Sequence, residues 1–385
     1  MPNPFLFGKI VTGEHFCNRE EEKLLLEENL KGGQSVMIIS PRRMGKSSLL
    51  AVVTEHLETL GLRCGRIDYF ALNSVSKIVG ETIKVCAEMI LREENSIKRF
   101  LAMTGSIFKR TRIAIEPSPD GVGFSVKPTL SLPVEICESL TEGLIGLDDF
   151  MGKKGEKGVL VMDEFQEIAS VDRLEAQALE AEFRTAIQST KNLSFAFLGS
   201  QASLLSDMFT DRNRPFFHSA KIIKLGSIDR KSLGTYIKTR FKSVGFSIEN
   251  VTGILDLVHG HPDYTQRICS HLFDILSSSK EKTDSVSFDN TILNLAMKRM
   301  IEACSLFFIP EWEIYTFRQQ QVLSLLAENG PLKRVPAIYL AEYEMSHTTF
   351  NTALKELIRK GTVRVNLQGQ YELSDPIFAR WIMRR

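Results

Sequence analysis

Short apolar runs alternate with longer stretches of helical spacing through the first 227 residues. Val36–Ile39 breaks at Ser40-Pro41, and helical periodicity resumes through Leu49, Leu50 and Val53. Residues 64–70 (CGRIDYF) end in a polar tip at Asp68, and residues 194–198 (SFAFL) are wholly apolar before Gly199-Ser200-Gln201. Residues 158–168 (GVLVMDEFQEI) open with four consecutive apolar side chains after the glycine, the signature of a strand buried on both faces. A last run covers residues 222–225. Between the runs, helical spacing is expected over residues 75–108, 133–152 and 174–189, and in an amphipathic helix before Ser35. Asn18 is expected to cap that first helix, with Glu20, Glu21 and Glu22 in its first turn and Leu24, Leu25, Leu26 and Leu30 on its buried side. Strands alternating with helices predict a parallel sheet with helices on both faces. Residues 112–116 and 122–127 alternate around Pro117-Ser118-Pro119-Asp120-Gly121, which predicts a hairpin inserted between helices at about 110–130.

The strand signals stop at Ile228. Helices are expected over 229–243, 250–258, 263–278 and 286–303, interrupted by Gly245 and by His259-Gly260-His261-Pro262, followed by a linker over 304–316. Residues from Gln320 onward predict three helices and a hairpin. Ser346 caps the third helix, whose Phe350, Ala353, Leu354, Leu357 and Ile358 follow one face before Gly361 stops it. Strands around Val363, Val365, Tyr371 and Leu373 complete the pattern of a winged helix-turn-helix. Three regions follow: 1–227 with the parallel sheet, 228–303 as a helical domain, and 304–385 as linker and winged helix.

The 385 residues suffice for two or three such domains. Lys plus Arg, at 48, nearly balance Asp plus Glu, at 47, so nucleic acid could be held only by a local patch. Six cysteines lack ligand spacing and read as reduced thiols of a cytoplasmic protein. The N-terminal residues do not read as a signal peptide, and no apolar stretch is long enough for a membrane span.

The chemistry concentrates at two strand ends. Ser40 through Ser47 (SPRRMGKS) has strand-loop-helix context and differs from GxxxxGK(S/T) only in Ser40. In such a loop, backbone N–H groups and a helix N-terminus cradle phosphate, the lysine (Lys46) reaches the β- and γ-phosphates, and the hydroxyl (Ser47) ligates magnesium. At the second end, Asp163 and Glu164 need a cationic counterpart, which a metal and the lysine supply. Asp163 is the candidate metal ligand, and Glu164 the residue that polarises an attacking water.

With these residues in place the chain resembles the STAND branch of the AAA+ ATPases, in particular a prokaryotic ATPase family. The resemblance is carried, in order, by Asn18-Arg19-Glu20-Glu21-Glu22, the run from Pro41 to Leu49, Asp163-Glu164-Phe165-Gln166-Glu167, Gly199-Ser200 and Gly260-His261-Pro262. It implies a P-loop NTPase fold, α/β with a parallel sheet core, a helical lid and a C-terminal winged helix, using ATP or ADP with Mg2+. The nucleotide would be held by Arg19, Pro41, Arg42, Arg43, Met44, Gly45, Lys46, Ser47, Ser48 and Pro262. Arg19 and Pro262 would lie on either side of the adenine, Ser200 would sense the γ-phosphate, and Ser47 and Asp163 would hold the metal. Glu164, Lys46 and Ser200 are the catalytic candidates.

No arginine finger can be assigned: Arg212 and Arg214 lie in the expected loop, and Arg267 is a candidate second sensor, so slow hydrolysis is expected. Two readings stay open. One is an ATP-driven switch acting on a protein partner or through self-association. The other is a DNA-binding regulator with structural nucleotide, in which His347, Thr348, Thr349, Asn351, Thr352, Lys355 and Arg359 would face the groove.

Overall fold

The computed structural model describes residues 2–91, 113–117, 124–128, 133–199, 202–212, 214–248, 250–278, 290–366 and 368–385. They form two compact units. One comprises Arg19–Arg42 and Lys46–Leu225, the other the residues up to Asn18 with Arg43–Gly45 and Gly226–Arg385.

The first unit is α/β. In chain order it contains α1 (Glu20–Lys31), β1 (Val36–Ile39), α2 (Lys46–Thr59), β2 (Arg63–Asp68), α3 (Val75–Leu91), β3 (Ile113–Pro117), β4 (Phe124–Pro128), α4 (Pro133–Lys154) and β5 (Gly158–Asp163). A 3-10 turn (Phe165–Ala169), α5 (Arg173–Ser189), β6 (Leu193–Gly199), α6 (Ala202–Thr210) and β7 (Lys221–Lys224) follow. Five strands make one sheet in the order β2-β5-β6-β1-β7, and every pair is parallel. Central strands are apolar on both faces because helices cover both, and every residue of β5 and β6 is buried. Strand β6 lies between β1 and β5, so the loops leaving β1 and β5 flank its C-terminal end.

An aromatic cluster fixes that end. The Phe165 ring lies 4.7 Å from Phe197, 5.3 Å from Phe183 and 5.4 Å from Phe216 by ring centroids, all fully buried. At the other end, the buried Asp148 of α4 accepts backbone N–H groups from Lys191, Asn192 and Leu193 at 2.9, 2.6 and 3.0 Å, fixing where β6 begins. The hairpin β3–β4 is antiparallel, with Ile113 opposite Pro128, while its turn and the segment expected to be helical beyond Leu91 lie outside the described residues.

The second unit is helical: α7 (Arg230–Lys242), α8 (Thr252–Val258), α9 (Pro262–Ser278), α10 (Asn290–Glu313), α11 (Phe317–Asn329), α12 (Ala337–Glu342) and α13 (His347–Arg359). The strands β8 (Val363–Val365) and β9 (Tyr371–Leu373) form an antiparallel hairpin before α14 (Pro376–Ile382). Ser346 caps α13 by accepting the Thr349 N–H at 3.1 Å. Phe350, Ala353, Leu354 and Leu357 are buried, whereas Ile358, expected on the same face, is exposed. Tyr264 of α9 donates to Asp375, whose other oxygen caps α14 by accepting from Ile377 and Phe378 at 2.8 and 2.9 Å. Among the described residues no helix is long and apolar enough to cross a membrane.

Two expectations are corrected. Asn18 does not cap α1: the cap position falls to Arg19, whose side chain makes no capping hydrogen bond, and Asn18 instead donates to Asp229 Oδ2 at 2.5 Å. Left-handed φ values of 56° at Asn18 and 78° at Arg19 turn the chain before the helix begins. The expected linker over 304–316 is helical to Glu313. Pro310 sits in the last turn of α10, where buried Phe308 and Trp312 pack on Phe378 and hold the helix despite the missing N–H. Helix α6, for which no element was expected, fills the segment before the expected loop that begins at Asp211, and its buried Leu205, Met208 and Phe209 carry i, i+3, i+4 spacing.

Candidate active site

The loop from Ser40 to Gly45 leaves β1 and feeds directly into α2, whose first residue is Lys46. Gly45 has φ 86°, a conformation that side chains with a Cβ rarely adopt, and this explains the glycine before the lysine. Arg43 takes φ 61° without that freedom. Pro41 and Arg42 are exposed, Met44 and Ser48 are buried, and Ser47 is half-buried.

Lys46 is buried at 7 % exposure, and its Nζ lies 3.5 Å from the Pro41 carbonyl oxygen, which folds the side chain back over its own loop. Burial pulls its pKa below the ordinary value, opposed by the carboxylates of Glu164 and Asp163. Desolvation of this ammonium therefore outweighs the attraction of the two carboxylates.

Asp163 ends β5, opposite Asp68 in the register with β2, and is 5 % exposed. Its Oδ2 accepts from the Ser47 hydroxyl at 2.8 Å and from Arg66 Nη2 at 2.5 Å, while Oδ1 accepts the Glu164 N–H at 3.1 Å. Ser47 and Asp163 thus place two hard oxygen donors side by side, the donor chemistry Mg2+ takes, so the residues present fit the metal. Sequence reasoning missed Arg66. Its signal is a cation in the middle of a strand two residues before Asp68, where alternation brings it onto the Asp163 side of β2.

Glu164 follows in a left-handed conformation, φ 50° and ψ 40°, that ends the strand and starts the 3-10 turn. Gln166 donates to Glu164 Oε2 at 2.6 Å. Ser200 lies outside the described residues. Lys46, Ser47, Asp163 and Glu164 are therefore brought together within the α/β unit.

The remaining candidates have other partners. Arg19 is buried and pairs with Glu22 at 2.9 Å. Arg214 makes a two-pronged pair with the buried Glu180, so it is a structural arginine rather than one presented outward, while Arg212 is exposed. In the helical unit, Arg267 pairs with Asp263 at 2.6 Å and stacks over Phe7 at 4.5 Å, and Arg43 Nη1 lies 4.0 Å from the same Asp263. Pro262 is the first residue of α9, where its missing N–H costs nothing. Two cavities lie elsewhere: one of about 450 Å³ in the helical unit beside His259 and Gly260, and one of about 540 Å³ in the α/β unit beside Glu180 and Arg214. Neither is lined by Lys46, Asp163 or Glu164, and the chemistry marks the site better than concavity does.

The sheet order, the lysine-bearing loop and the acidic strand end define a P-loop α/β fold with a parallel sheet. Among solved structures, the chain is similar to a Walker-type ATPase of Pyrococcus abyssi at 20% identity and a TM-score of 0.68, with 96% of this chain and 97% of that chain covered. It is also similar to the ORC2 protein of Aeropyrum pernix in ADPNP-ADP complexes, at 16% identity and a TM-score of 0.55, covering 95% of this chain and 93% of that one. No protein-family model matches the sequence. No curated protein matches it either.

Proposed function

We propose that this protein is a magnesium-dependent ATP-binding switch of the STAND type that hydrolyses ATP slowly and passes its nucleotide state to the helical unit. The observation that carries the reading is the Ser47–Asp163 contact of 2.8 Å beside the buried, destabilised ammonium of Lys46. Lys46 offsets phosphate charge from within the loop, and loop N–H groups at the start of α2 orient the phosphates. Ser47 and Asp163 hold Mg2+, which when bound supplies charge neutralisation for the triphosphate. Glu164 orients water and takes its proton. With Arg214 and Arg267 held by carboxylates and Arg212 exposed, no arginine is assigned to the contribution that accelerates such reactions, and turnover is slow on this reading.

Calorimetry with Mg-ATP and Mg-ADP and a phosphate-release assay test the reading. Lys46→Ala abolishes binding, and Glu164→Gln binds ATP without turning it over. Arg19→Ala and Pro262→Ala weaken binding if those residues contact the base. Absence of binding by the wild type, or full turnover by Glu164→Gln, overturns the respective assignment.

The second reading, DNA binding with structural nucleotide, draws on the exposed His347, Thr348, Asn351, Thr352 and Lys355 of α13. Against it, Arg359 and Arg364 are each paired with a carboxylate, Glu356 and Glu372, at 2.9 and 2.8 Å, which lowers the cationic character of the helix and wing. A mobility shift that weakens steeply with salt supports this reading, and its absence at low salt rejects it.

A further inference from the structure

Gln166 is nearly completely buried, at 1 % exposure, in the turn after β5. Its Nε2 donates to Glu164 Oε2 at 2.6 Å and, at 3.4 Å, to Glu167 Oε1. Two carboxylates on one side dictate which end of the amide faces them, so the orientation follows from the neighbours. The cost falls on the other end: Oε1 is buried without a hydrogen-bond partner among the described residues. That oxygen lies against the end of β6, where a Cβ on Gly199 would stand 2.0 Å from it. Only glycine leaves room for the amide there.

A buried acceptor left unsatisfied is destabilising, and a leucine or methionine at 166 would avoid the cost. The amide is kept, and what it gains is its grip on Glu164. That carboxylate also sits on a residue with φ 50°, so its place is set by strained backbone and by a buried donor together. Gln166 touches neither of the oxygen donors that fit the metal.

We propose that Gln166 is a positioning residue for Glu164 in ATP hydrolysis, and that Gly199 is required because it admits the Gln166 amide. The inference rests on the reading of Glu164 as the base. A base displaced by about 1 Å can cost about 100-fold in rate, whereas nucleotide affinity depends on groups Gln166 does not touch.

The test uses the full chain, with phosphate release across ATP concentrations, calorimetric Kd for Mg-ATP and a thermal melt for each variant. Gln166→Leu lowers kcat by about 10- to 100-fold while KM and Kd stay within about twofold. Gly199→Ala, far from the phosphates in chemistry but aimed at the same amide, lowers kcat in the same way. Added to Glu164→Gln, the Gln166→Leu change causes no further loss, because the group it positions is already gone. If Gln166→Leu does not fold, Gln166→Met, unbranched and of matching length, carries the same expectation. Wild-type kcat in a folded Gln166 or Gly199 variant overturns the inference while leaving the ATPase reading intact, and so does a multiplicative loss in the double variant. A wild type that binds Mg-ATP without turning it over overturns the hydrolase reading, and the inference with it.

Discussion

Replacing Arg66 by Met tests how the acidic strand end is balanced. The guanidinium reaches Asp163 Oδ2 at 2.5 Å, with the Asp163 side chain 7% exposed and that of Arg66 33% exposed. Removing one partner of a fully buried ion pair costs about 3–5 kcal/mol. The partial exposure of Arg66 reduces this to about 2 kcal/mol. For a unit of this size that corresponds to a melting temperature lower by about 4–8 °C in nucleotide-free protein with chelator present. Mg2+ brings positive charge to the same oxygen, so the loss should be recovered when Mg-ATP is added. The shift on adding Mg-ATP is then larger in Arg66→Met than in the wild type, while ATP with chelator produces no such excess. Mg2+ affinity rises as well, by about tenfold for each 1.4 kcal/mol of relieved competition. Differential scanning calorimetry of both proteins in these three conditions, with a magnesium titration at saturating ATP, measures both quantities. Equal melting temperatures without nucleotide, or equal Mg-dependent shifts in the two proteins, refute the claim that Arg66 stands in for the metal's charge.

Two further predictions concern charge and burial. The native pKa of Lys46 is lowered from 10.5 by burial, so the unfolded chain binds more protons between that lowered value and 10.5, and this group's contribution makes stability rise with pH across the window. Urea unfolding should show this slope in the wild type and a flatter one in Lys46→Met; equal slopes reject it. Because bound phosphate favours the charged ammonium, binding of Mg-ATP at a pH between the lowered value and 10.5 should take up protons, seen as a dependence of calorimetric enthalpy on buffer ionisation. Away from the site, Asp148→Ala leaves three backbone N–H groups at the start of β6 without their acceptor. At about 1–3 kcal/mol for each buried unsatisfied donor, destabilisation of at least about 3 kcal/mol is expected in chemical denaturation, and a loss under about 1 kcal/mol would show that water replaces the carboxylate.

The parallel sheet was legible because its central strands β1, β5 and β6 are covered on both faces and so appear as unbroken apolar runs, each ending at or just before a polar or small residue. The phosphate loop was legible because Gly45, Lys46 and Ser47 each have a separate chemical reason to be there. Arg66 was not, since a single cation in a strand gives no hint of its partner until β2 is paired with β5 and Arg66 meets Asp163 across the strands. Helix α10 was cut short in the reading because proline usually stops a helix, and the aromatic packing of Phe308 and Trp312 on α14 that overrides it is tertiary. Helix α6 is nine residues long, too short for periodicity to outweigh the polar residues on either side. Asn18 carries the composition of a cap, but its backbone conformation gives the position to Arg19.

Backbone strain marks the site in a way no composition argument could anticipate. Of the eight non-glycine residues with positive φ among those described, five lie in the stretches singled out for their chemistry: Asn18, Arg19, Arg43, Glu164 and His259. Each costs on the order of 1 kcal/mol or more, so each needs something else to hold it. The holding contacts are visible for three of them. Arg19 is pinned by Glu22. Arg43 is steered by Asp263 and lies over the Phe307 ring at 4.8 Å, and Glu164 is gripped by Gln166. A loop or strand end maintained against its own preference is one whose alternatives lie close in energy, and a change in what its side chain binds can then shift it. A sequence reading finds these residues through their side chains and misses the strain, because glycine, the usual flag for positive φ, is absent at all five positions.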